Sequence, residues 1–123
     1  ELIVLGREGR AGGYQLADML FYMENHLTCS LPELAGTFNL SEGYLSRYFR
    51  KETGKTFAQL LCEFRMRRAE KMLLHTDFSI EKIVETVGYT DKSRFYRNFK
   101  AMYCVSPVKY RKGRGELCPY PSN

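Results

Sequence analysis

The chain has 123 residues, a formal net charge of +5 and 44% hydrophobic residues, which suits one domain or two small subdomains with a core. Its basic balance, with a pI near 9.1, favours a polyanionic partner, either nucleic acid or an anionic membrane surface. No apolar run is long enough to cross a bilayer, and four cysteines without C-x-x-C spacing, with two distant histidines, argue against a zinc site.

Cys29, Cys62, Cys104 and Cys118 read as reduced thiols of a cytosolic protein. Residues 1–13 hold the short apolar patch Leu2-Ile3-Val4-Leu5 and four glycines, and read as a linker or tail without the features of a signal peptide. Residue 1 is not Met, so the chain reads as a piece of something larger.

A first helix is predicted from Tyr14 to Leu27, with Leu16, Leu20, Met23 and Leu27 as its apolar stripe and Ala17 and Phe21 beside it. Ser30-Leu-Pro-Glu33 is a capping box with proline in the first turn, opening a short helix with Leu31, Leu34, Ala35 and Phe38 inward. Asn39 suits a left-handed turn, and Ser41 caps a helix from about Glu42 to Thr53 that Gly54 ends. Thr56-Phe-Ala-Gln59 opens a long helix from Phe57 to about His75. Its apolar residues change face midway: Phe57, Leu60, Leu61 and Phe64 lie on one side, Met66, Ala69, Met72 and Leu73 on another. That pattern describes a strut with a separate small core at each end. Beyond it, Ser79 caps a short helix with Ile80, Ile83, Val84 and Val87 inward, and Gly88 makes a turn. Thr90 or Asp91 caps a helix to about Tyr103, and Ser106-Pro107 starts a last helical turn through Arg111. Residues 113–123 read as a loose tail. The fold class is all-α, about seven helices.

The strongest signal is an internal repeat. Leu31, Leu34, Ala35 and Phe38 match Ile80, Ile83, Val84 and Val87, each 49 residues later; Leu45, Arg47 and Phe49 match Phe95, Arg97 and Phe99, each 50 later. Each copy is a short helix, a turn and a second helix, which is helix-turn-helix geometry. The second helix of the first copy presents Gly43, Ser46, Arg47 and Arg50 outward; that of the second copy presents Lys92, Ser93, Tyr96, Arg97 and Lys100, with Arg94 alongside. Neither stripe contains an acid, and from Lys92 to Lys112 no Asp or Glu interrupts the basic residues. Arginine can bond guanine O6 and N7 in the major groove, and serine or tyrosine can reach base edges or phosphates. One such stripe is as often an ordinary solvated face; two in a repeat favour reading of double-stranded DNA. The 19-residue strut spans roughly 28 Å at ~1.5 Å per residue, against ~34 Å between successive major-groove faces, so both helices could enter adjacent grooves of a slightly bent duplex.

These residues resemble the C-terminal DNA-binding domain of the AraC/XylS family of bacterial transcription regulators. The resemblance rests on Leu40-Ser-Glu-Gly-Tyr-Leu-Ser-Arg-Tyr-Phe-Arg-Lys-Glu-Thr-Gly54, on Phe64-Arg-Met-Arg-Arg-Ala69, and on Gly88-Tyr89-x-Asp91-x-Ser93-x-Phe95-x-Arg97-x-Phe99-Lys100 followed by Ser106-Pro107-x-x-Tyr110-Arg111. It covers roughly residues 14–112 and implies two helix-turn-helix subdomains, 14–55 and 77–112, joined by a linker helix at 56–76. Ser46 and Arg47, then Lys92, Ser93, Tyr96 and Arg97, stand at its base-reading places. It further implies activation through RNA polymerase and a sensor or dimerisation domain outside this chain. Three residues depart from the family pattern: Gly43, where a long side chain often reads a base; Val84, for a common Ala; and Cys104, at a usual Gly.

Tyr44 joins the DNA-binding residues, with packing as its alternative reading, while Tyr48 reads as packing. Arg65, Arg67 and Arg68 serve either phosphate contact or bracing. The rival functions are a protein–protein adaptor with an acidic partner and a non-specific nucleic-acid binder. Enzyme chemistry is not expected: the sequence offers no nucleophile–base pair, phosphate loop, cofactor motif or metal constellation.

Overall fold

In the computed structural model, which describes residues 13–113, helix boundaries fall where short polar side chains can cap them. The described residues form seven helices and no strand: α1 Gly13–Asn25, α2 Leu31–Thr37, α3 Glu42–Thr53, α4 Phe57–His75, α5 Ile80–Thr86, α6 Lys92–Tyr103 and α7 Pro107–Gly113. The apolar patch at residues 2–5, Cys118 and the tail beyond 113 lie outside the described residues. No helix among the described residues is long and apolar enough to cross a membrane.

Caps start the helices. Ser30 accepts from the Glu33 amide, Ser41 from Tyr44, Ser79 from Lys82 and Ser106 from Lys109, at 3.0–3.2 Å. Thr56 and Gln59 form a reciprocal box: each side chain accepts from the other's amide, at 3.1 and 2.9 Å. The box expected at Ser30 is half made, because the Glu33 carboxylate instead accepts from the Tyr22 hydroxyl at 2.6 Å. Of the two caps offered for α6, Asp91 serves, its carboxylate accepting from the amides of Ser93 and Arg94.

The chain divides into two compact units, with the boundary between Leu61 and Cys62, inside α4. The division falls near the place where the apolar residues of α4 change face. In the first unit Met19, Met23, Leu34, Leu45 and Phe49 are fully buried, with Leu60 and Leu61 nearly so. The α1 stripe differs from the sequence reading. Met19 and Met23 form its buried axis, Leu16 and Leu20 are half-buried, and Ala17 and Phe21 face solvent, Phe21 being 68% exposed. α1 ends at Asn25, whose side chain donates to the Phe21 carbonyl, so Leu27 reaches the core from the turn that follows.

In the second unit Met66, Ala69, Ile83, Val87, Phe95, Phe99 and Pro107 are fully buried. Phe95, Phe99, Tyr103 and Tyr110 add ring contacts at centroid distances of 4.7–6.0 Å. Burial pushes the Tyr103 hydroxyl up to about 12, with the Glu70 charge adding to it. The buried Tyr110 hydroxyl donates to Glu70 at 2.7 Å.

Within each unit the turn is built the same way. In the first, the amides of Phe38, Asn39 and Leu40 bond the carbonyls of Leu34, Gly36 and Ala35; in the second, those of Val87, Gly88 and Tyr89 bond Ile83, Glu85 and Val84. These bonds match at the 49-residue offset. The step to 50 enters between turn and cap, where Thr90 is the added residue before Asp91. The repeat also runs further than the sequence reading took it: Gly54 and Cys104 are both left-handed helix ends, and Thr56 and Ser106 both open the next helix.

Candidate nucleic-acid interface

Each unit offers solvent the outward face of a 12-residue helix whose other face is anchored by aromatic or aliphatic side chains. On α3, Leu45, Tyr48 and Phe49 are buried, leaving Ser46, Arg47 and Arg50 exposed. These three line an open surface depression together with Lys51, which sequence reasoning left out. Lys51 lies one residue beyond the i, i+3, i+4, i+7 stripe, and its length brings it there. Tyr48 packs as expected, and burial raises its hydroxyl pKa, with the Glu52 charge adding to it. Tyr44 stacks on the Tyr48 ring at 6.0 Å while staying 38% exposed, so it both packs and borders the face. Gly43 leaves space that Arg47 enters: a Cβ built there would meet the Arg47 guanidinium at 3.4 Å.

On α6, Phe95 and Phe99 are buried, while Lys92, Ser93, Arg94, Arg97 and Lys100 are exposed. Tyr96 is half-buried, its ring edge-on to Phe95 at 6.1 Å, so it presents less of itself than its neighbours. Among the described residues, Arg47, Arg50, Arg94, Arg97 and Lys100 pair with no carboxylate. Lys92 does: its ammonium lies 2.7 Å from Glu81. The first turn of α6 carries its own cap, the Asp91 carboxylate accepting from the amides of Ser93 and Arg94.

Other cations in the sequence reading have partners within the protein. The Arg111 guanidinium donates to the carbonyls of Leu73 and Thr76, both at 3.1 Å, closing the C-terminal end of α4. Arg65 lies over the Tyr89 ring, 5.1 Å from its centroid. The Tyr89 hydroxyl donates to Cys62 and accepts from Asn98, and burial followed by the Cys62 bond raises its pKa. Arg67 lies 3.6 Å from Glu63, one helical turn earlier. Cys29, Cys62 and Cys104 form no disulfide among the described residues.

This arrangement offers two corresponding exposed faces, each on a helix rich in long cationic and short polar side chains above buried apolar ones. Such a face suits a groove lined by phosphates and hydrogen-bonding base edges.

A family model described as a helix-turn-helix domain matches residues 34–113. The Msm operon regulatory protein of Streptococcus mutans is 35% identical over 80 residues, covering 65% of this chain and 29% of that protein. The HTH-type transcriptional activator RhaS of Klebsiella pneumoniae is 30% identical over 115 residues, covering 92% of this chain and 41% of RhaS. The C-terminal domain of AraT, a response regulator from Geobacillus stearothermophilus, shares 32% identity at a TM-score of 0.74 over 88% of this chain and 92% of that one. The chain spans about a third of the length of the curated relatives it matches.

Proposed function

The chain belongs to the AraC-type family of helix-turn-helix, DNA-binding transcription regulators, and from that premise we propose that α3 and α6 are its two reading helices, entering adjacent major grooves. Tyr44, Ser46, Arg47 and Arg50 form the first contact set; Lys92, Ser93, Arg94, Tyr96, Arg97 and Lys100 form the second. One observation carries this reading: the same turn followed by a side-chain-capped helix occurs twice, and both times a solvent-facing stripe of that helix is basic. Arg47 and Arg97, 50 residues apart at equivalent exposed positions, serve as the base readers, and Lys100 as a phosphate contact.

The regulated step in this proposal is transcription in the bacterial cytoplasm, with the protein acting as an activator that contacts RNA polymerase; the name of the RhaS relative supports activation. A sensor or dimerisation domain elsewhere in the whole protein completes the proposal, in keeping with the greater length of the relatives. The family is one of regulators rather than enzymes.

Selection from a pool of random duplexes, followed by sequencing, tests the reading. Two enriched boxes with centres about one helical turn apart are expected. A single box would restrict base reading to one unit. No enrichment by a folded chain would reject sequence-specific reading and leave an adaptor or a non-specific binder.

A further inference from the structure

The contact between Glu81 and Lys92 has no counterpart in the first unit. Glu81 is the second residue of α5 and Lys92 the first of α6, so their 2.7 Å bond ties the two helices of the second helix-turn-helix together. The same ammonium lies 5.9 Å from the centroid of the Tyr96 ring. At the equivalent places the first unit has Pro32 and Glu42, which cannot form the pair.

Both side chains are at least half exposed, so the pair adds little to stability. Its consequence lies in what it does to the cation. An unpaired lysine at the start of a reading helix reaches any phosphate that comes near, whatever the sequence. Bonded to Glu81, Lys92 meets an approaching duplex with its charge already matched, and a phosphate must displace a carboxylate to gain it. Random duplexes offer only that exchange. On the correct site, Ser93 and Arg97 draw α6 close enough for the ammonium to be shared with DNA.

We propose that Glu81 is a specificity-determining positioning residue: by holding Lys92, it withholds one cation from indiscriminate phosphate contact and widens the gap between specific and random binding. The proposal rests on α6 being a reading helix. The pair persists at neutral pH, because the bond from Lys92 holds the Glu81 carboxyl below its usual range and the same bond raises Lys92.

The experiment is a salt titration of binding to the selected duplex and to a random one, for the wild type, Glu81→Gln, Lys92→Met and the double variant. Glu85→Gln, exposed one turn further along the same helix, makes the same change of charge and leaves the Glu81–Lys92 pair in place. In Glu81→Gln, the log–log salt slope on random DNA should steepen by up to ~0.9, the contribution of one further phosphate, with affinity rising by up to about fivefold, the most an exposed ion pair withholds. Affinity for the selected site should rise less, so discrimination falls. On the Lys92→Met background the Glu81 change should have no effect. An unchanged slope and ratio in Glu81→Gln would overturn the proposal. So would an equal effect without Lys92, or an equal effect of Glu85→Gln, since either would leave only general charge. A wild type that does not tell the two duplexes apart would instead overturn the reading of α6 itself.

Discussion

Among the described residues, four hold backbone in the left-handed region: Asn39 at φ 57°, Gly54 at 77°, Gly88 at 98° and Cys104 at 74°. The two units divide the burden in opposite ways, glycine ending α3 in the first and making the turn in the second. A non-glycine residue there costs ~1–2 kcal/mol. Cys104→Gly should therefore raise stability by about 1 kcal/mol, read as a higher urea midpoint at constant slope. Gly54→Ala should lose about the same amount for backbone reasons alone, because no atom lies within 4 Å of the added Cβ. In the proposed function, the residue to test first is Arg97. Arg97→Ala is expected to cost ~1–3 kcal/mol on the selected duplex and to relax preference at one base position. Equal losses on selected and random duplexes would instead make Arg97 a phosphate contact. The left-handed positions of Asn39, Gly54 and Gly88 are legible because asparagine and glycine declare themselves locally, whereas Cys104 stands out only through the resemblance to a family with glycine there. The engagement of Lys92 is not legible, since it needs Glu81, 11 residues away and on another helix.

At the scale of the element, caps decide where the reading helices begin and hence which side chains occupy their first turns. Asp91 satisfies two amides of α6, so Asp91→Ala should cost ~0.5–2 kcal/mol in urea unfolding, with Asp91→Asn retaining most of the stability. If Asp91→Ala left stability unchanged, the cap would be idle and Thr90 a better candidate. Helix ends were legible to within a residue or two, because Ser, Thr and Asp caps and glycine stops act over three or four residues. The inward face of α1 was less legible. Its residues are apolar at several adjacent positions, so periodicity allowed Phe21 beside the stripe, whereas packing buried Met19 and left Phe21 in solvent. Arg111 shows the same limit: in the sequence it is one more cation of the acid-free run from Lys92 to Lys112, and only the fold brings it to the carbonyls of Leu73 and Thr76.

For the whole molecule, the two units each hold a basic helix face in one chain with a net charge of +5, so DNA binding should be strongly electrostatic. Each phosphate neutralised adds ~0.9 to the log–log dependence of affinity on salt. A steep fall in affinity with salt is expected on any duplex, and Lys100→Ala should reduce the slope by about one phosphate on selected and random DNA alike. A flat response in a binding titration would remove the electrostatic basis of the interface.

The sequence by itself determined the all-helical class, the repeat, the turn residues and the basic outward stripes. These are written in short-range signals: a cap three residues before its amide, an apolar residue every third or fourth place, a turn residue at a left-handed position. The tertiary structure alone decided which cations stay available. Arg47, Arg50, Arg94, Arg97 and Lys100 remain without a carboxylate among the described residues, whereas Lys92 is held by Glu81 and Arg111 by helix carbonyls. A long flexible cation takes whichever acceptor packing delivers to it, and that acceptor can lie anywhere along the chain.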